Sequence, residues 1–205
     1  MKAKLIYFVA LMLLVQIVNA QTFGIKGGIN FANIAYSGGG TTVTEKSITG
    51  VHFGPIMDFP LQENLSLNTG LLFSIKGSKS EDSYAGMSYT TTTTLNYLVV
   101  PINLGYKFPI DKSTKLLIQA GPYLGYALSG KVKDSGGSTD IKFGEKGGAK
   151  RLDMGLGFGA GVELGSLVVS LNYELGLANI EDSSDYKVKN KVLQISLAYM
   201  FGGLK

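Results

Sequence analysis

Beyond its first twenty residues the chain repeatedly alternates large apolar side chains with small or polar ones. The last such segment is representative: Leu193, Ile195, Leu197, Tyr199 and Phe201 alternate with Gln194, Ser196 and Ala198. Successive side chains of a β-strand point to opposite faces, so this pattern predicts a strand with one apolar and one tolerant face. Seven earlier segments follow the same rule. Phe23, Ile25, Ile29 and Phe31 oppose Gly24, Lys26, Gly28 and Asn30; Val51, Phe53, Pro55, Met57 and Phe59 oppose His52, Gly54 and Asp58. Leu65, Leu67, Leu71, Phe73 and Ile75 oppose Ser66, Asn68, Gly70, Ser74 and Lys76; Leu98 to Phe108 oppose Asn103, Gly105 and Lys107. The last three set Leu116 to Leu128 against Gln119, Gly121, Tyr123 and Gly125, Leu152 to Leu164 against Asp153, four glycines and Glu163, and Leu167 to Leu177 against Ser170, Asn172, Glu174 and Gly176.

The connections alternate in length. Those after segments two, four and six are short, around 62–64, 110–113 and 165–166. Those after segments one, three, five and seven are long and polar, over 35–49, 78–93, 129–150 and 179–189, with Gly38–Gly40 and Ser135–Ser138 as flexible tips. An even number of segments of about ten residues, with short turns at one rim and long loops at the other, predicts an all-β fold: an eight-stranded antiparallel up-and-down transmembrane β-barrel. The Thr90–Thr94 run is β-prone and suggests that strands extend past the membrane there.

A soluble lipocalin-like barrel is the rival architecture, since it also closes eight alternating strands around a cavity. Its outer face would be solvated and charged. Here the non-apolar set is mostly Gly, Ser and Asn, which suits the narrow inside of a small barrel. Aromatic residues gather toward segment ends, as membrane-interface girdles do. Parity then places Lys26, Lys76 and Lys107, His52, and Asp58, Asp153, Glu163 and Glu174 inward. These eight form a candidate lumenal polar network, in which cations and anions pair across the barrel and plug it.

Met1 to Lys4 is basic, Leu5 to Val18 is apolar apart from Gln16, and Val18-Asn19-Ala20 is a small-residue cleavage pattern. Residues 1–20 are therefore expected to be a signal peptide removed before Gln21, leaving 21–205 as one barrel domain. Loss of Lys2 and Lys4 reduces the 19 basic residues to 17 against 15 acidic ones. No basic block remains for nucleic acid. The chain has no cysteine, which excludes disulfides and a lipid anchor on cysteine. Its 28 glycines disfavour helix.

Motifs of known chemistry fail on context. Gly155-Leu-Gly-Phe-Gly-Ala160 fits a dinucleotide pattern, but its glycines continue with period two inside a strand. Gly125 to Lys131 resembles a phosphate loop, yet Val132 stands where Ser or Thr is needed. His52 is the only histidine, and Asp58 on the same face is about 20 Å away along a strand, which favours a hydrogen-bonded histidine over a catalytic one. The carboxylates Asp134, Asp140, Glu145, Glu181, Asp182 and Asp185 have no calcium-loop spacing. Neither metal nor cofactor is expected.

Asn96-Tyr-Leu-Val-Val-Pro-Ile-Asn-Leu-Gly-Tyr106 resembles the Y-L-x-V-P-x-x-L-x-Y segment of the PorT-like outer-membrane β-barrel family, and Phe23 to Ala32 and Gly121 to Gly125 resemble its first and fifth strands. The resemblance implies an eight-stranded outer-membrane barrel with Tyr97 and Pro101 in structural roles, Pro101 marking a local bulge. It carries no activity across. The expectation is a non-enzymatic outer-membrane protein with a structural or interaction role through its extracellular loops. A narrow channel, a small-solute binder or a soluble periplasmic lipocalin-like binder is the alternative, and a barrel enzyme using His52 the third reading. Its partners would be outer-membrane lipid, the barrel-assembly machinery during insertion and an envelope or extracellular protein, with no nucleic acid.

Overall fold

The computed structural model describes residues 21–84, 87–144, 148–182 and 186–201. The expected signal peptide, Glu145 and Asp185 lie outside them. The described residues form eleven strands: β1 (Thr22–Gly38), β2 (Thr41–Thr44), β3 (Ile48–Gln62), β4 (Leu65–Gly70), β5 (Leu72–Tyr84), β6 (Met87–Pro109), β7 (Thr114–Asp134), β8 (Gly137–Asp140), β9 (Leu152–Leu164), β10 (Leu167–Gly176) and β11 (Lys187–Met200). All pairings between them are antiparallel. β1 pairs with β11 from Gly24↔Met200 to Ser37↔Lys187 and with β3 from Thr22↔Asp58 to Ala32↔Ile48, so the sheet closes on itself.

β4 and β5 are one barrel strand interrupted at Leu71. The register against β3 and β6 is unchanged across the gap, which sets Pro55 opposite Leu71 and Pro101 opposite Gly70. Proline has no amide to donate to a ladder, so the interruption falls where both neighbouring strands carry one. Counting β4 and β5 together, and leaving out the short β2 and β8, eight strands surround the lumen.

The bulge expected at Pro101 is elsewhere. Pro101 pairs in register with Tyr123, and the shift lies between Asn96 and Tyr97, where β7 accommodates Leu128 as an extra residue. That residue reverses the parity of upper β7, turning Lys131 and Lys133 to the outside and Gly130 inward.

The outer wall is apolar. Phe53 is 58% exposed, Leu171 52% and Leu197 54%, and their neighbours at alternate positions match them. A band of this kind around the whole barrel is satisfied only by lipid. No described helix is long and apolar enough to cross a membrane, and the strands do the crossing.

At one rim the turns are short, at 63–64, 110–113 and 165–166, and both ends of the barrel lie there. Asp111 shapes one of these turns by accepting the amides of Ser113 and Thr114, each at 2.8 Å. At the opposite rim β5 and β6 stay paired out to Tyr84↔Met87, in keeping with the extension suggested by the threonine run. Two other long connections hold strand that was not expected: β1 turns at Gly39 and Gly40, both at positive φ, into β2, and β7 turns into β8. β-prone threonines over 90–94 sustain the longest of these extensions.

Candidate functional site

Small inward side chains leave room for a few large polar ones, and these stack in levels along the lumen. Toward the long-hairpin rim, Lys76 of β5 reaches across to β9 and β10. Its Nζ lies 3.1 Å from Asp153 Oδ2 and 2.8 Å from Glu174 Oε2. Tyr97 and Tyr123 flank the ammonium, with ring centroids at 5.2 and 4.4 Å. Asn190 donates to Asp153 at 3.0 Å, and Gln194 to Glu174 at 3.3 Å. Toward the short-turn rim, Lys107 of β6 lies 2.8 Å from Asp58 and 3.0 Å from Glu163. Each level joins one lysine to two carboxyl groups.

Lys26 stands between the two levels. Among the described residues it has no carboxylate within ion-pair distance, and it lines a cavity of about 60 Å³ together with Asn68, Asn103, Gln119 and Ser170. Glu163 Oε2, on the same cavity, has no hydrogen-bond partner among the described residues. The space is large enough for water and too small for a nucleotide or a sugar.

Apolar residues pack around this polar column. Ile34, Leu95, Tyr97, Val99, Tyr123, Ala127, Ile180 and Val188 pack together inside the long-hairpin end. Leu117, Val168, Ala198 and Met200, with Ile56, cluster beside the Lys107 level, where the register sets Leu117 against Lys107 and Val168 against Glu163. Parity alone did not reveal these clusters, because each places a few apolar residues on the face that is otherwise polar. An apolar residue breaking the inward pattern near a strand end, such as Leu117 or Val188, is the signal that would have found them.

His52 is wholly buried. Its Nδ1 lies 2.7 Å from Asn30 Oδ1, and its Nε2 lies 2.9 Å from Ser196 Oγ. Asn30 donates through Nδ2 to Ser74 Oγ and the Ile75 carbonyl, so its oxygen faces the ring and Nδ1 carries the proton. Asp58 is not part of this set. Ser196, His52 and Asn30 reproduce the order nucleophile, base and orienting group. Ser196 is 2% exposed and lines neither of the two cavities beside Lys26. Ser196, Asn30, Tyr97, Asn190 and Gln194 were not among the candidate site residues. Nothing in one strand's pattern indicates which groups of other strands it will meet.

The glycine-rich stretch of β9 is regular strand, as Gly155, Gly157, Gly159 and Gly161 face inward and pair with β10. The upper carboxylates are individually engaged rather than gathered. Asp140 lies 3.8 Å from Lys131, Asp182 lies 3.6 Å from Lys150, and Glu181 accepts the Tyr186 hydroxyl. Among the described residues no group of three or more acids and histidines could hold a metal ion.

A closed sheet with a lipid-facing apolar wall and an inward polar column defines an integral β-barrel of the outer membrane. The family model described as "Outer membrane protein beta-barrel domain" matches residues 19–182, and the chain belongs to that family. Its location is accordingly the outer membrane. No protein of curated function matches it. Among solved structures it is similar to Neisserial surface protein A (15% identity, TM-score 0.48, 87% of this chain and 97% of that one). It is also similar to OprG of Pseudomonas aeruginosa (10%, 0.47, 89% and 96%) and to a major outer membrane protein of Thermus thermophilus (16%, 0.46, 89% and 100%). Likeness at this level transfers no function.

Proposed function

We propose that the protein is a non-conducting, non-enzymatic barrel that presents its long hairpins outside the cell as a structural or interaction surface. One observation carries this reading: two lysine–carboxylate levels cross the lumen and apolar side chains pack around them, leaving a cavity of only about 60 Å³ beside Lys26. An ion crossing the lumen would have to displace packed side chains as well as shed water. The resemblance on Tyr97 to Tyr106 supports a place among the PorT-like barrels. Export by a leader cleaved before Gln21 and insertion by the barrel-assembly machinery complete this reading, and the partner of the hairpins is an extracellular or envelope protein.

Planar-bilayer recording of the purified barrel tests it. No steady conductance is expected, and a large, stable open state would end the reading. Absence of enzymatic action is tested separately with a fluorophosphonate probe, which is expected to leave Ser196 unlabelled. Labelling of Ser196 that disappears in His52→Ala would establish a hydrolase instead. The second reading, a small-solute binder, draws on Lys26 and the cavity of about 60 Å³ beside it. That volume suits an ion or a few waters at most.

A further inference from the structure

The outward face of β11 changes character in a single step. Leu193, Ile195, Leu197 and Tyr199 belong to the apolar wall, and the next three outward positions toward the long-hairpin rim are Lys191, Lys189 and Lys187. Alternate residues of a strand are about 7 Å apart, so three ammonium groups rise in a row over about 14 Å from the edge of the apolar belt. Several other basic residues at this rim are engaged: Lys79 lies 2.8 Å from Glu81, Lys46 also contacts Glu81, Lys131 and Lys150 are paired with Asp140 and Asp182, and Arg151 donates to the Ala127 carbonyl. Among the described residues Lys187, Lys189 and Lys191 have no carboxylate partner. The one polar contact recorded for the row is Lys191 Nζ to Thr44 Oγ1, at 3.5 Å.

Hydroxyl groups of Thr44 and of the β1–β2 hairpin lie near the two ends of the row. On β1 the register sets Asn33 beside Lys191, Ala35 beside Lys189 and Ser37 beside Lys187. Between the β1–β2 hairpin and Tyr186 is a groove of about 370 Å³, lined by Ser37, Thr41, Thr42, Tyr186 and Lys187, with Gly38 and Gly40. The row therefore meets the membrane where acyl chains give way to head groups, with hydroxyls on one side, while Glu181 beside the groove is engaged by the Tyr186 hydroxyl.

We propose that Lys187, Lys189 and Lys191, with the adjoining groove, bind the phosphorylated head group of an outer-leaflet saccharolipid. The acyl chains would lie against Ile195, Leu197 and Ile29, the lysines would neutralise phosphate, and the hydroxyl-lined groove would receive sugar. Lysine suits this task as a compact charge on a flexible stem that extends from the apolar wall to the interface. The sugar-accepting groove favours a glycolipid over an anionic glycerophospholipid of the same charge.

The test is equilibrium binding of fluorescent bisphosphorylated lipid A to the full barrel in neutral detergent. Affinity is expected to fall about a hundredfold in K187Q/K189Q/K191Q, at about fivefold for each lysine held against an anionic surface. It should change little in Lys112→Gln, at the opposite rim, and each variant is checked for folding by heat-modifiable migration. Raising the salt tests the unaltered protein without any substitution, and binding should weaken steeply. Equal binding by the triple variant, or salt-independent binding, would overturn the proposal. So would equal affinity for dephosphorylated lipid A, which would leave only the apolar wall at work, or for phosphatidylglycerol, which would remove the sugar. None of these outcomes depends on whether the lumen conducts.

Discussion

Lys76 Nζ and Asp153 Oδ2 are 3.1 Å apart, and neither side chain has any exposed surface. Their strands, β5 and β9, are separated in the sheet by β6 and β7, so the pair spans the lumen instead of bridging adjacent strands. Burying two charges is costly, and their attraction repays that cost only where other groups complete the site. Tyr123, Asn190 and Glu174 do so here.

Lys76→Met tests how much the barrel depends on this level. It leaves Asp153 and Glu174 buried without their cation, and an uncompensated buried charge destabilises by about 3–5 kcal/mol. The urea midpoint of the folded, fast-migrating gel band should drop accordingly. A loss below about 1 kcal/mol would mean that water enters the lumen and solvates the acids.

Gly155 and Gly157 provide a comparison within one strand. A Cβ on Gly155 would sit 2.1 Å from the Leu175 carbonyl oxygen, whereas one on Gly157 would meet nothing closer than 3.6 Å. Gly155→Ala should destabilise by about 1–3 kcal/mol through overpacking. Gly157→Ala should be neutral or stabilising by up to about 1 kcal/mol, because it restricts the unfolded chain. Equal effects in thermal unfolding would contradict this account of the glycine face.

At the outer hairpins, hydrogen bonds from Lys46 and then Lys79, with their charges, hold the Glu81 carboxyl down to about 2. The ionised form is the one the fold favours, so this contribution is complete above the ordinary carboxylate range and is lost as pH falls through about 2. A carboxyl-detected NMR titration should place Glu81 near that value. Lys46→Ala combined with Lys79→Ala should return it to the ordinary range, and an unchanged midpoint would refute the pairing.

Asp111 makes a smaller local contribution at the opposite rim. Backbone hydrogen bonding from Ser113, with the bonds to Thr114, holds its carboxyl below the usual value. Asp111→Ala should weaken the turn and lower the urea midpoint slightly, since hydrogen bonds at a solvated site contribute little net stability. Asp111→Asn should recover most of the loss, since an amide oxygen still accepts both N–H groups. Failure of Asn to rescue the urea midpoint would show that charge, and not turn geometry, is what Asp111 provides.

The alternation of residues such as Leu193, Ile195 and Leu197 with Gln194, Ser196 and Ala198 was enough to determine strand number, the two faces, the lipid-facing wall and the short-turn rim. Those properties are local, because strand parity needs only the period of the chain and short turns need only a few residues. The sequence also placed Lys76, Lys107, Asp58, Asp153, Glu163 and Glu174 on one face. Which lysine meets which acid depends on closure and register, since Lys76 and Asp153 come together only when strands that are not neighbours curve around a common axis. The same holds for the Asn96/Tyr97 shift, which a proline-based expectation put at Pro101, and for the apolar clusters within the lumen. Tertiary structure decided these because each is a relationship between strands, neighbouring or facing, and a period-two pattern contains no information about what another strand sets opposite.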